Sequence, residues 1–276
     1  MQTILITGCS SGIGQCVAHG LKQRGYRVFA TARQLKDVER LQQDGFETCQ
    51  LDLDDSDSIR NAVEWVLERT GGTLYALFNN GAYGQPGAVE DISRAALRAQ
   101  FETNLFGTHE LTSLLLPVMR RQGYGRVIQN SSVLGFVALP YRGAYVASKF
   151  ALEGLTDTLR LEWRNSGIHF SLIEPGPIQT AFRQNATRAF HRHLDSQTSV
   201  HREAYLAMEE AFLHQAQRGG ARFSLPPAAI LPKVIHALES RRPRVRYGVT
   251  LPTHLFAILR RLLPRVVMDA ILARVL

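Results

Sequence analysis

A tyrosine and a lysine stand four residues apart in the run GAYVASKFALEGLTDTLRLEW, at Tyr145 and Lys149. On a helix that spacing puts both side chains on one face. An ammonium beside a phenol favours the phenolate and lowers a pKa that starts at about 10, which makes Tyr145 an acid or base usable near neutral pH. Ser132, thirteen residues earlier at the end of an apolar run, can bring its hydroxyl to the same point and hold a carbonyl or alcohol oxygen. In isolation the plainer reading of the pair is a packed tyrosine beside a lysine that reaches solvent, so the surrounding sequence has to decide.

A second group of chemistry-bearing residues follows the apolar run at residues 3–6. In TGCSSGIG, Thr7 precedes Gly8, and Gly12 and Gly14 come after three and one intervening residues, with Ser10, Ser11 and Ile13 between them. Glycines there let a backbone approach a ligand, and the free amides of the helix that begins at this point attract a phosphate. A dinucleotide pyrophosphate is the natural guest, against the alternative of a tight turn without ligand. The end of the next strand reads Thr31, Ala32, Arg33, with no carboxylate before Asp37. An acid at that place would hold ribose hydroxyls, whereas an arginine suits a 2'-phosphate, so NADP (NADPH) is expected over NAD; a merely solvated arginine is the competing reading. Asp52 and Leu53 follow the third strand, and Asn79, Asn80 and Gly81 the fourth, where strand ends line the ligand crevice of such a sheet. Asx residues that simply terminate strands are the alternative at each.

The elements that must position these residues alternate. Apolar runs at TILI, YRVFATA, FETCQL, LYALFNN, 125–131, IHFSLIEPG and RVRYGV read as strands. Helical spacing falls between them, including 93–101, 104–122 and 145–165. This predicts an α/β protein: a parallel sheet with helices on both faces. The rhythm breaks after Pro177. Residues 180–222 are polar, with one long helix expected at HREAYLAMEEAFLHQAQ, and read as a substrate lid whose arginines and histidines face solvent. Around the expected pocket Tyr83, Phe136, Val137, Leu139, Tyr141, Phe182 and Phe190 point to a hydrophobic small-molecule substrate. The single domain is placed at 1–249 and a basic, apolar helical extension at 250–276, split by Pro264 into two short helices.

With 276 residues, 45% of them hydrophobic, the chain can bury a substantial core. Its net charge of +8 is concentrated: residues 241–276 carry eight arginines against Asp269, which leaves +1 for residues 1–240. That distribution excludes a basic face for nucleic acid. Three cysteines make no disulfide framework and no metal motif, no signal-peptide pattern is present, and no apolar run is long enough to span a membrane; a reducing, cytoplasmic setting is expected.

Over residues 3–248 the chain resembles a classical short-chain dehydrogenase/reductase. TGCSSGIG, Asp52, NNG, Ser132 with YVASK, and PGPIQT at 175–180 agree with the family in order and spacing. Within it the chain looks most like 17β-hydroxysteroid and retinol dehydrogenases and proteobacterial NADP-dependent aldehyde reductases. The resemblance implies a Rossmann-like doubly wound sheet and a hydride exchanged between NADP(H) and a hydrophobic aldehyde, ketone, retinoid or hydroxysteroid-like alcohol. Tyr145 would be the general acid in reduction, Lys149 would hold the nicotinamide ribose, and Ser132 would orient the substrate oxygen. Asn104 would hold a relay water, and Pro175, Gly176, Ile178 and Thr180 would fix the carboxamide. It also implies a homodimer or tetramer paired through the helices at 104–122 and 145–165, the second carrying Phe150, Leu152, Leu155, Leu159 and Trp163. The family usually reads NNAG where this chain has Asn79, Asn80, Gly81 and Ala82, an exchange that Gly84 is expected to compensate. A nucleotide-binding regulatory protein without turnover is the rival from another class. A membrane-surface protein using the basic tail is a second, although the tail is expected chiefly to cover the cleft.

Overall fold

The computed structural model describes residues 1–217 and 223–274. Seven strands form one sheet: β1 (Thr3–Ile6), β2 (Arg27–Ala32), β3 (Glu47–Gln50), β4 (Ala76–Asn79), β5 (Gly125–Asn130), β6 (Ile168–Glu174) and β7 (Arg246–Gly248). Their order is β3-β2-β1-β4-β5-β6-β7, with every pairing parallel. The order reverses between β1 and β4, so the crevice at their carboxyl ends is the topological switch point where such sheets take ligands.

The helices are α1 (Gly12–Gln23), α2 (Leu35–Gln43), α3 (Ser56–Arg69), α4 (Arg94–Phe101), α5 (Gly107–Gln122), α6 (Gly143–Glu162), α7 (Phe182–His193), α8 (Arg202–Gln217), α9 (Leu231–Glu239), α10 (Leu251–Leu262) and α11 (Arg265–Leu272). Alternate residues of the strands feed two cores. Ile4, Ile6, Val28, Ala30, Phe78 and Ile128 pack with α1, α2 and α9 on one side. Leu5, Phe29, Leu77, Val127 and Phe170 pack with α3 and α5 on the other. A period of two with apolar residues at both phases is what a strand covered on both faces requires.

Two local expectations change. Asn104 does not begin a long helix: residues Glu102–Phe106 form a five-residue π turn between α4 and α5. The lid holds a helix that the composition hid, α7, because its inward side is small and sparse, with Ala186, Ala189 and Phe190 buried among arginines and histidines. The last five residues of the expected lid, 218–222, lie outside the described residues. Pro264 separates α10 from α11 as the chain sequence predicts.

Candidate active site

The glycine-rich loop joins β1 to α1. Gly8 and Gly12 have φ of +71° and +60°, values that favour glycine, and a Cβ on Gly14 would lie 2.3 Å from the Gly8 carbonyl oxygen. Ser11 stands at the N-cap without a side-chain cap, and no acid occupies the first turn, so the α1 amides stay available to an anion. Cys9 faces inward, where burial pushes its thiol up to about 12 and removes it from chemistry. Thr180 closes over the loop: its Cγ2 would meet a Cβ on Gly12 at 2.9 Å. The Pro175 carbonyl accepts from Val133 N at 2.8 Å, and a Cβ on Gly176 would lie 2.1 Å from Thr250 Oγ1. Ile178 pairs with Leu225 in an isolated bridge. The segment after β6 is thus clamped between the glycine loop, the Ser132 loop and the start of α10. This uncapped, glycine-rich cradle fits a dinucleotide.

At the end of β2, Arg33 is exposed at the crevice edge and its charge acts on both Asp54 and Tyr83. Asp37 is occupied by Arg40 at 3.1 Å, and Arg40 also donates to the Ser10 carbonyl. Arg40, seven residues beyond Arg33, escaped the sequence reading; one helical turn after Asp37 it already had the spacing of an ion pair. Asp52 accepts from Asp54 N at 3.2 Å, and Leu53 is buried beneath Gly81, with its Cδ1 3.1 Å from where a Cβ would sit. The Leu53 carbonyl also touches α5 so closely that a Cβ on Gly107 would lie 1.8 Å away.

The two asparagines after β4 part company. Asn79 points into the sheet–helix interface and donates to Thr112 at 2.8 Å. Asn80 turns the other way, donating to the Thr7 and Gly8 carbonyls at 2.9 and 3.2 Å. Its Oδ1 accepts from Asn130 Nδ2 at 2.9 Å, while the Asn130 carbonyl accepts from Lys149 Nζ at 2.7 Å. One hydrogen-bonded chain therefore runs from the lysine of α6 to the phosphate loop. Asn130 lay unremarked within the strand expected at 125–131; its signal is the register that sets Asn79 beside Gln129, and hence Asn80 beside Asn130. Gly81 N donates to Thr7 Oγ1 at 2.8 Å, so the exchanged Gly81-Ala82 pair keeps its anchor to β1. Gly84, expected to compensate there, lies elsewhere: a Cβ on it would meet Phe182 at 2.9 Å and Tyr145 at 3.6 Å.

Tyr145, Ser148 and Lys149 are all buried on the inner face of α6. Ser132 acts on the Tyr145 phenol, and the Phe182 ring stands edge-on at 5.4 Å. Burial pushes the Tyr145 phenol up to about 12, with the Ser132 hydrogen bond opposing. The lowering expected from Lys149 does not set the value, because the lysine head is turned to Asn130 and lies 5.8 Å from the ring centre. Lys149 is itself lowered to about 8 by burial, with the Glu153 charge opposing. Asn104 braces the site: its amide donates to the Tyr83 carbonyl at 2.9 Å and Ser148 Oγ at 3.1 Å, and its Oδ1 accepts from Tyr83 N at 3.1 Å. Both its N–H groups are taken, so the side chain acts as a strut between the Tyr83 loop and α6.

Behind the lysine sits an ion network absent from the sequence reading, two of its acids, Glu153 and Glu174, buried and its arginine partly exposed. Arg246 of β7 reaches Glu153 at 3.0 Å, Asp157 at 2.7 Å and Glu174 at 3.1 Å. Burial, reinforced by the Glu153 charge, raises Glu174 to about 7 against the pull of Arg246. These four residues border a cleft of about 810 Å³ that touches neither Tyr145 nor the glycine loop. Of the apolar residues expected in the pocket, Tyr141 and Phe190 instead form the lid's own core with Tyr205. Phe136, Val137 and Leu139 pack under α10 and α11. Among the described residues no cluster of His, Cys, Asp or Glu is placed to hold a metal.

Residues 2–190 match the short chain dehydrogenase family. The chain is 44% identical over 271 residues to the uncharacterized oxidoreductase YbbO of Escherichia coli strain K12, covering 98% of this chain and 94% of that protein. It is 35% identical to human 17-beta-hydroxysteroid dehydrogenase type 1, covering 90% and 77%. A short-chain dehydrogenase structure from Streptomyces avermitilis superposes with a TM-score of 0.75 at 26% identity over 95% of this chain and 96% of that one. With a glycine-rich loop at the switch point and Ser132 and Tyr145 buried near Lys149, this is an oxidoreductase that uses a nicotinamide dinucleotide to interconvert a carbonyl and an alcohol, and the chain belongs to the short-chain dehydrogenase family.

Proposed function

We propose that the enzyme is an NADP(H)-dependent oxidoreductase of hydrophobic aldehydes, ketones or the corresponding alcohols. The observation that carries the reading is the common burial of Ser132, Tyr145 and Lys149, which sets a phenol able to give a proton to a carbonyl oxygen, or take one from an alcohol, near a hydroxyl and an ammonium. Bound nicotinamide supplies the hydride. Ser132 would hold the substrate oxygen against the Tyr145 hydroxyl, and the Lys149 ammonium would hold the nicotinamide ribose and offset the charge left on the phenolate. Phe182 gives the oxygen-binding end an apolar wall.

The preference for NADP rests on two arginines, Arg33 just past β2 and Arg40 on α2. Arg33 is exposed and Arg40 neutralises the nearby Asp37, so a 2'-phosphate would meet positive charge and no opposing free carboxylate from α2's first turn. Homodimerisation through α5 and α6 is retained from family resemblance; of the α6 residues first expected to support it, Leu152, Leu159 and Trp163 pack into the chain's own core, and Phe150 stays exposed. Steady-state constants for a panel of aldehydes, ketones and hydroxysteroids with NADPH and NADH test the reading. Expected is turnover of apolar carbonyls with a clear NADPH preference; turnover confined to polar substrates, or equal use of both cofactors, overturns it.

A further inference from the structure

We propose that the outer face of α10 docks onto an anionic phospholipid surface. The helix has two apolar faces. One, with Phe256 and Leu259, packs on the loop that follows Ser132. The other consists of Leu251, Leu255, Ile258 and Leu262, at intervals of four, three and four, and it is exposed by 63%, 49%, 57% and 73%. Those intervals draw a single stripe along a helix. Val266 and Val267 follow in α11, so six of the eighteen exposed large apolar side chains among the described residues fall within residues 251–267. Concentration on that scale marks a surface meant to be covered.

Charge selects the occupant. Arg260, Arg261 and Arg265 bracket the end of the stripe, and none of them forms an ion pair among the described residues. Lys233 and Arg244 border the same cleft as Arg260 and Arg261, and the three acids that line it, Glu153, Asp157 and Glu174, are held by Arg246. Asp269 is the single acid between residues 250 and 276. A two-fold contact through this face would set arginine against arginine. A lipid surface reverses that sign: leucines enter the acyl boundary while guanidinium groups remain at anionic headgroups. The helix is only twelve residues long, and no described helix is long and apolar enough to cross a membrane, so the chain lies on the surface. This placement does not depend on which carbonyl the enzyme reduces.

The test is sedimentation of the full chain with vesicles of phosphatidylglycerol and phosphatidylcholine, compared with phosphatidylcholine alone. Binding to the anionic vesicles, weakened by salt, is expected. The exposed double variant Leu255→Ser/Ile258→Ser and the charge variant Arg260→Glu/Arg261→Glu should each lower the partition coefficient by roughly tenfold or more. Circular dichroism and NADPH binding, read alongside, should stay at wild-type values. Wild-type protein that ignores anionic vesicles, or binds both compositions equally, overturns the proposal. So does a Leu255→Ser/Ile258→Ser protein that keeps full vesicle binding, or one that dissociates an oligomer while the parent shows no affinity for lipid, which would make the face a contact between copies.

Discussion

In α6 the functional and apolar positions turn inward: Tyr145, Ser148, Lys149 and Leu152 are buried between the sheet and the Asn104 turn, and Glu153 is held by an arginine from β7. In α10 the tightest apolar stripe turns outward, although both helices present apolar residues at helical intervals. The difference comes from place in the sheet. Helix α6 packs directly against β6 and has neighbours all along its inner face, whereas α10 follows the edge strand β7 and meets the Ser132 loop and α11 on one of its two faces. Periodicity finds a face, and the neighbours decide whether that face becomes core, active site or surface.

The contrast can be broken most severely at Tyr145. Tyr145→Phe removes the transferable proton and should lower turnover by roughly 10²- to 10⁴-fold while NADPH affinity stays within a few-fold, measured by steady-state kinetics and cofactor titration. Near-normal turnover would show that burial on α6 does not confer the chemistry. A pH profile probes the neighbour. With Lys149 lowered to about 8, the free enzyme loses its ammonium as pH rises through that value, and kcat/KM for reduction should fall above it, approaching about tenfold per pH unit. A flat profile to pH 10 would remove Lys149 from the proton balance.

A smaller effect is expected where α6 meets β7. Arg246→Leu strands Glu153 and Glu174, whose side chains are only 9% and 6% exposed, and should cost about 2 to 4 kcal/mol in urea denaturation at pH 8. The sign of its pH dependence follows from Glu174. Its folded pKa, about 7, lies above the unfolded value, so the penalty for the buried charge is absent below the unfolded pKa and grows as pH rises through the folded one. The loss should therefore shrink on going from pH 8 toward pH 5; a loss that grew instead would place the network's contribution elsewhere. Arg33→Ala should remove about 1.5 to 3 kcal/mol of NADPH-over-NADH discrimination, read as the ratio of kcat/KM values. If discrimination survives, Arg40→Ala decides whether the second arginine holds the phosphate. The smallest effect belongs to α10: Leu255→Ser should change stability by no more than about 0.5 kcal/mol, because its side chain is already in solvent. A loss of several kcal/mol would mean that the stripe packs within the protein and would erase the comparison.

The sequence by itself determined the sheet, the glycine loop and the pair on α6, because these depend on local rules. Alternation in TILI and RVFATA needs no knowledge of the partner strand, glycines with positive φ announce the loop, and a spacing of four fixes Tyr145 beside Lys149. It also marked Pro264 as a break. Tertiary structure alone decided the rest. Asn80 and Asn79 are adjacent and alike in sequence, yet strand register sends one to the phosphate loop and the other to Thr112. Arg246 and Glu153 are ninety-three residues apart, and only the β6–β7 pairing makes them partners. The Tyr145 phenol was read as lowered by its lysine neighbour and is instead raised, since desolvation by the lid and sheet outweighs a charge that points at Asn130. Spacing along a chain fixes direction over one or two turns; burial and long-range charge depend on what the rest of the fold brings to that direction.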